Sequence, residues 1–209
     1  MKILVIGAGG HGMVVCDILL RMKERTGSPE SVGILDDNPG LTATSILGIT
    51  VNGPVSRIAE VEHDVVIVAI GDNGTRRSIF LGMENRGENI VSAIHPASVI
   101  APDVSVGRGT MICAGAVVNP GTEIGCNVIL NTGCTVDHHN RIHDHVHIAP
   151  GAHLGGKVEV GEGTLVGIGT AVLPGVKIGR WCVVGAGSVV TKDIPDGSLA
   201  FGIPTVIRK

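Results

Sequence analysis

The chain has 209 residues, 44% of them apolar, with 32 glycines and a formal charge of −3. Residues 1–93 carry 8 Lys/Arg against 11 Asp/Glu and residues 94–209 carry 8 of each, and Phe80, Phe201 and Trp181 are the only aromatics. This excludes the basic surface and stacking platforms of a nucleic-acid binder. No apolar stretch reaches the ~18 residues of a membrane span. Five cysteines (Cys16, Cys113, Cys126, Cys134, Cys182) without CxxC spacing read as reduced thiols of a cytoplasmic protein.

Taken in chain order, the first half alternates strand and helix signals. Lys2–Ile6 is a continuous apolar run, the pattern of a buried parallel strand rather than of a signal peptide. A glycine-rich turn, Gly7-Ala8-Gly9-Gly10-His11-Gly12, leads into a helix expected from Met13 to about Lys23. Val32–Leu35 reads as a second strand closed by Asp36-Asp37-Asn38, and Asp64–Ile70 as a third ending in Gly71-Asp72-Asn73-Gly74. A helix over about Thr75–Arg86 and a strand at Asn89–Ile94 complete a small α/β domain of Rossmann-like pattern, expected over 1–93.

From Ile94 the pattern changes. Every sixth position from Ile94 to Val190, seventeen in all, is Ile, Leu or Val. The following position is often Gly, and four residues after each aliphatic the chain is mostly small or β-branched. A period of six fits neither a helix nor a hairpin register; it predicts a parallel β-helix in which each six-residue unit forms one flat face, here over 94–209. In the small-residue column Asn140 stands out as polar, within Val136-Asp137-His138-His139-Asn140-Arg141, and six of the nine histidines fall between 138 and 153. Local rules fail where function intrudes. His143, His145 and His153 read as solvated or interfacial, while His138 and His147 read as functional.

The hexapeptide run resembles the left-handed β-helix acyltransferases, and the whole chain is similar to the NeuD/PglD-type sugar acetyltransferases. The matching pieces are GAGGHG at 7–12, LDD at 35–37, HP at 95–96, NTGCTVDHHNRIHDHVHIAPGAHLGG at 131–156 and GIP at 202–204. The resemblance implies direct acetyl transfer from acetyl-CoA, without a metal, to a 4-amino-4,6-dideoxy sugar on a nucleotide, by a homotrimer. It implies His138 as general base, a role suited to a neutral imidazole. It implies His147, Gly156, Ile168 and Ala186 along the acetyl-CoA groove, and Asn131 facing the acceptor. It also implies that Gly9, Gly10, His11 and Gly71 line the sugar-nucleotide loop, with Asp36 and Asp37 near the base or ribose. One departure stands out: the residue after the base is usually an acid, and here it is His139. Asp137 or Asp144 is a candidate substitute, and His139 or Asp137 a candidate assistant to the base.

Other classes leave weaker traces. Gly7, Gly9 and Gly12 followed by Asp36 satisfy the NAD fingerprint, so an NAD-linked oxidoreductase is an alternative, as is a non-catalytic nucleotide-sugar-binding scaffold. Within transfer chemistry the alternative is O-acetylation of a sialic-acid-type sugar. Cys134, four residues before His138, sits in the small-residue column and reads as packing. A zinc hydratase on the same scaffold would pair His138 and His143 with a third ligand two coils upstream, where Pro102 stands instead. Lys177, Lys192 and Arg180 are candidates for meeting CoA phosphates and otherwise are solvated charges.

Overall fold

The computed structural model describes Met1–Arg208. It divides into two compact units, Met1–Pro96 and Ala97–Lys209.

In the first unit, β1 (Lys2–Ile6) lies inside a five-stranded sheet. It is parallel to β2 (Glu30–Leu35) on one side and to β5 (Val65–Val68) on the other, which is why its apolar run is unbroken. α1 (Gly10–Thr26) starts inside the glycine-rich turn, three residues before the expected Met13, and ends at Gly27 in the left-handed region with φ 77. The hairpin β3 (Ser45–Ile46) and β4 (Ile49–Gly53) extends the sheet to the order β3-β4-β2-β1-β5. No strand is expected there from the sequence, because each run is short and interrupted by Gly48. α2 (Asn73–Asn85) is capped by Asp72, whose carboxylate accepts from the Thr75 N–H at 2.8 Å. The strand expected at Asn89–Ile94 is reduced to a bridge between Ile90 and Val66 and the two residues Ala93–Ile94.

The second unit is a parallel β-helix. Its first face stacks Val99–Ile100, Val117–Val118, Thr135–Val136, His153–Leu154, Ala171–Val172 and Val189–Val190. The second face stacks Ser105–Val106, Glu123–Ile124, Arg141–Ile142, Glu159–Val160 and Lys177–Ile178. Met111–Ile112, Ile129–Leu130, His147–Ile148, Leu165–Val166, Val183–Val184 and Leu199–Phe201 belong to the third, which an antiparallel strand Val206–Arg208 closes. Partners on one face are eighteen residues apart, as in Val118↔Val136 and Leu130↔Ile148, so three hexapeptides make one coil. The sixth-position aliphatics point inward: Ile112, Leu130, Val136, Ile148, Val160 and Val166 are all 0% exposed. Each such burial contributes ~1.5–3 kcal/mol.

Two further columns shape the edges between faces. Three residues after each inward aliphatic from Val106 to Val184, the backbone turns through positive φ. Glycine fills most of these places; Asn127, His139, His145, Lys157 and Trp181 fill the rest, with φ from 52 to 62. The next position is the small-residue column, whose polar members bridge coils. The Thr110 hydroxyl donates to the Gly125 carbonyl at 2.9 Å and accepts from the Val128 N–H at 3.1 Å. Thr164 makes the same pair of bonds to Gly179 and Cys182. So does Asn140: its amide donates to the Gly155 carbonyl at 3.0 Å and its oxygen accepts from the Val158 N–H at 3.0 Å. Asn140 is therefore a fully buried staple of the coil rather than a group open to a ligand. Among the described residues no helix is long and apolar enough to cross a membrane.

Candidate active site

His138 and His139 lie on the edge between the first and second faces, and both are exposed. Their Nδ1 atoms are 3.1 Å apart, with the rings edge to face at 5.3 Å between centroids. Each ring rests on a glycine of an adjacent coil. A Cβ on Gly156 would come within 2.5 Å of the His138 ring, and one on Gly121 within 2.9 Å of the His139 ring. His139 takes the left-handed backbone of the edge column (φ 57), a conformation that histidine enters more readily than most residues.

Asp137 sets the backbone of this edge. Its Oδ1 accepts from the Asn119 amide and from the His138 N–H, both at 2.8 Å. These bonds, the Asn119 amide foremost, hold its carboxyl below the usual carboxylate range. Its carbonyl receives the Thr122 hydroxyl at 2.9 Å and the Asn140 amide. Asp137 thus grips the main chain of His138, while the ring meets His139. The other acid considered, Asp144, accepts from the Cys126 N–H at 2.7 Å on the edge between the second and third faces.

Asn131 and His147 form a second cluster, on the third face and the edge that follows it. The Asn131 oxygen accepts from the Thr132 N–H at 2.8 Å, which leaves its amide to donate to His147 Nε2 at 3.1 Å. Ile168 and Ala186 lie exposed farther along the same edge, where the positive-φ column is glycine alone: Gly115, Gly133, Gly151, Gly169 and Gly187. The residues expected along an acetyl-CoA groove thus fall on two sides of the β-helix. His147, Ile168 and Ala186 belong to one, and Gly156 with His138 to the other, across the first face.

In the first unit the carboxyl ends of β1 and β5 lie side by side. A Cβ on Gly7 (φ +111) would sit 2.9 Å from the Ala69 carbonyl oxygen, and one on Gly12 would collide with the Gly7 carbonyl. These two glycines pack the helix onto the sheet. Gly9 and Gly10, by contrast, are exposed with nothing within 4 Å of a Cβ, so their backbone faces open space at the α1 N-terminus. A Cβ on Gly71 would reach His11 Cβ at 3.7 Å, which brings the two loops together. Burial, helped by the Arg76 guanidinium, lowers the His11 imidazole to about 4, so it is neutral at pH 7. Arg76 is itself fully buried and donates to the carbonyls of Ile70 and Gly71. Asp36 is occupied: its two oxygens accept from the Ala8 N–H at 2.7 Å and the Asn38 N–H at 2.8 Å. Asp37 Oδ1 accepts from the Val55 N–H at 2.8 Å. Asp36 shapes the glycine-rich loop from behind, a role that its sequence position does not reveal.

The remaining candidates fall elsewhere. Cys134 is buried, and desolvation pushes its thiol to about 12, which suits packing and not nucleophilic attack. His143 pairs with Glu159 at 3.2 Å and Lys177 with the same carboxylate at 3.4 Å, beside a cavity of about 420 Å³ on the second face that Arg180 also lines. His153 bonds Thr135 at 2.9 Å on the first face. His145, read from sequence as solvated or interfacial, is instead buried and bonds the equally buried Asn127 at 2.8 Å. Among the described residues no group of three His, Cys, Asp or Glu side chains is placed to hold a metal ion.

Residues 2–82 match the profile of the PglD N-terminal domain, and residues 157–192 that of the bacterial transferase hexapeptide of six repeats. A galactoside O-acetyltransferase of Lactococcus lactis is 51% identical over 59 residues, 28% of this chain and 28% of that one. The chain spans about a quarter to about half of the length of the first curated relatives it matches. Several solved structures match it from end to end. The acetyltransferase domain of PglB from Neisseria gonorrhoeae is 34% identical with a TM-score of 0.92, covering 99% of each chain. PerB from Caulobacter crescentus, solved in complex with CoA and GDP-perosamine, is 37% identical with a TM-score of 0.92, covering 100% of this chain and 98% of that one. With a profile match in each half and the whole chain covered by structures above a third identity, the chain belongs to the NeuD/PglD-type family of hexapeptide-repeat sugar acetyltransferases.

Proposed function

We propose that the protein is an acetyl-CoA-dependent N-acetyltransferase acting on a nucleotide-linked 4-amino-4,6-dideoxy sugar, with His138 as general base. The observation that carries this reading is the exposed His138 ring, seated on Gly156 within a chain matched throughout by a structure holding CoA and GDP-perosamine. In the reaction the acceptor nitrogen attacks the thioester carbonyl, a C–N bond forms, and the C–S bond breaks. His138 Nε2 takes the proton from the nitrogen, and the departing thiolate leaves with a proton as CoA thiol.

The first unit is read as a Rossmann-like nucleotide-sugar-binding domain. Sheet order reverses beside β1, and in open α/β sheets ligands favour the carboxyl ends at such a switch point. The open backbone at Gly9 and Gly10 heads a helix, a ready site for a pyrophosphate. Neutral His11 and the Gly71 loop stand beside it. Asp37, with one carboxylate oxygen spare, suits a ribose or base better than the occupied Asp36.

We take the β-helix as left-handed and the enzyme as a cytoplasmic homotrimer with acetyl-CoA between the β-helices of neighbouring subunits. Two features support this: all five cysteines are free, and the expected groove residues lie on two separate edges of one copy, which a neighbour would bring face to face. Release of CoA thiol from acetyl-CoA should follow addition of a 4-amino-4,6-dideoxy sugar nucleotide and should fail with the 4-hydroxy analogue. The Lactococcus O-acetyltransferase segment favours a second reading, O-acetylation; thiol release with a sialic-acid-type hydroxyl acceptor alone would establish it and overturn the first.

A further inference from the structure

We propose that His139 is a positioning residue that keeps the His138 proton on Nδ1, so that the two imidazoles share one proton and Nε2 of His138 stays open to the acceptor. The proposal rests on the reading of His138 as the base. Its starting point is the 3.1 Å separation between the two Nδ1 atoms. Two neutral rings in that contact hold a single hydrogen between them, because a second would set N–H against N–H. One arrangement puts that hydrogen on His138 and leaves its Nε2 lone pair free. The other puts it on His139, leaves the His138 proton on Nε2, and abolishes the base.

The seats of the rings limit their freedom to leave this contact. Gly156 lies against His138 and Gly121 against His139, each so close that a methyl group would displace the ring. The left-handed backbone at residue 139 aims its side chain along the edge. The charged groups around the pair are Asp137, held by Asn119 and the His138 N–H; Asp103, which accepts from the Gly121 N–H; Lys157, whose N–H bonds the His138 carbonyl; and the Glu123–Arg141 pair on the second face. Among the described residues none of these side chains is hydrogen-bonded to either ring, so the rings have each other as partners.

During transfer the proton lost by the attacking nitrogen goes to His138 Nε2, as the C–N bond forms and the C–S bond breaks. The resulting imidazolium donates through Nδ1 to the lone pair of His139, and one positive charge is spread over both rings. The pair then gives this proton to the leaving thiolate or to water.

The test uses the full-length protein. His139→Ala should lower kcat by about ten- to a hundred-fold, part of the ~10²–10⁴ that a general base supplies, with KM for acetyl-CoA unchanged. His139→Asn should recover most of the turnover, because Asn accepts left-handed backbone and its oxygen can receive the Nδ1 proton. His139→Asp should move the acid limb of kcat/KM to higher pH by about 1, since an anion beside Nδ1 favours the imidazolium. Histidine-labelled protein should show His138 in its Nδ1–H form at neutral pH in two-bond ¹H–¹⁵N spectra. An Nε2–H tautomer there, or His139 variants that leave both kcat and the acid limb in place while His138→Ala is inactive, would overturn the positioning role and leave the base assignment standing. Full activity in His138→Ala would instead remove the base, and this proposal with it.

Discussion

The two edges that flank the first face are built on the same backbone and used differently. On the edge between the third and first faces the left-handed position is glycine in every described coil, from Gly115 to Gly187. On the edge between the first and second faces it is Gly121, then His139, Lys157 and Gly175. The first edge shows bare backbone to its surroundings; the second raises two imidazoles, each seated on a glycine of an adjacent coil. A repeat supplies identical turns, and His139 at one of them, next to His138, sets a pair of imidazoles on that edge. The cost is a strained φ at His139, which the contact with His138 and the flat seat on Gly121 offset.

The largest test of this contrast is on activity. His138→Ala should lower turnover by ~10²–10⁴-fold while acetyl-CoA binding, measured by calorimetry, stays within a few-fold. Gly156→Ala should approach the same loss, because its methyl group would push the His138 ring aside. Gly151→Ala on the glycine edge meets nothing within 4 Å, so it should lower stability by ~1–2 kcal/mol through its positive φ (+63) and disturb the imidazoles little. Equal kinetic damage from both substitutions would erase the distinction between the edges.

A second measurement separates the coil from the α/β unit. His11 is lowered from 6.5 to about 4, chiefly by burial, so the unfolded chain takes up its proton first as pH falls. The stabilisation is complete above pH 6.5 and is lost progressively toward pH 4, amounting to at most ~3 kcal/mol. Denaturant midpoints of the parent should therefore fall between pH 7.5 and 5 more steeply than those of His11→Gln. Parallel pH profiles would show that His11 is not the buried neutral group described.

The smaller effects concern the staples. Asn140→Ala strands the Val158 N–H and the Gly155 carbonyl, and should destabilise by ~1–3 kcal/mol. Asn140→Thr should restore most of that loss, because Thr110 and Thr164 make the same two bonds in other coils. If threonine rescues stability but not turnover, Asn140 also tunes the edge that carries His138. Asn119→Ala, which frees Asp137, should reduce kcat by a smaller factor than His139→Ala, since it loosens main chain and leaves both rings in contact.

Much of the fold was legible in the sequence. The six-residue period exposes the β-helix because flat faces demand an inward aliphatic in each hexapeptide, and Lys2–Ile6 exposes an interior strand because both its neighbours are parallel. The hairpin at Ser45–Gly53 was not legible, being too short to show a period. The site was legible in part. The histidine cluster led to the edge that carries His138 and His139, but Asn140, the conspicuous polar residue beside it, is a buried staple that does the work of threonine. Likewise Asp36 suggested a ribose ligand by its spacing, and the fold turns its carboxylate back onto Ala8 and Asn38.

The sequence by itself determined the period, the inward columns and the division into an α/β half and a coil, because these depend on residues near each other along the chain. Only the tertiary structure decided which side chains meet. Residues eighteen apart stack on one edge while residues six apart face different directions, so Gly121 came to lie against His139, Gly156 against His138, and His147 beside Asn131 on a separate edge. The contact between His138 and His139 is decided at that level too. Neighbours in sequence could point apart, and only the left-handed turn between them brings Nδ1 to Nδ1.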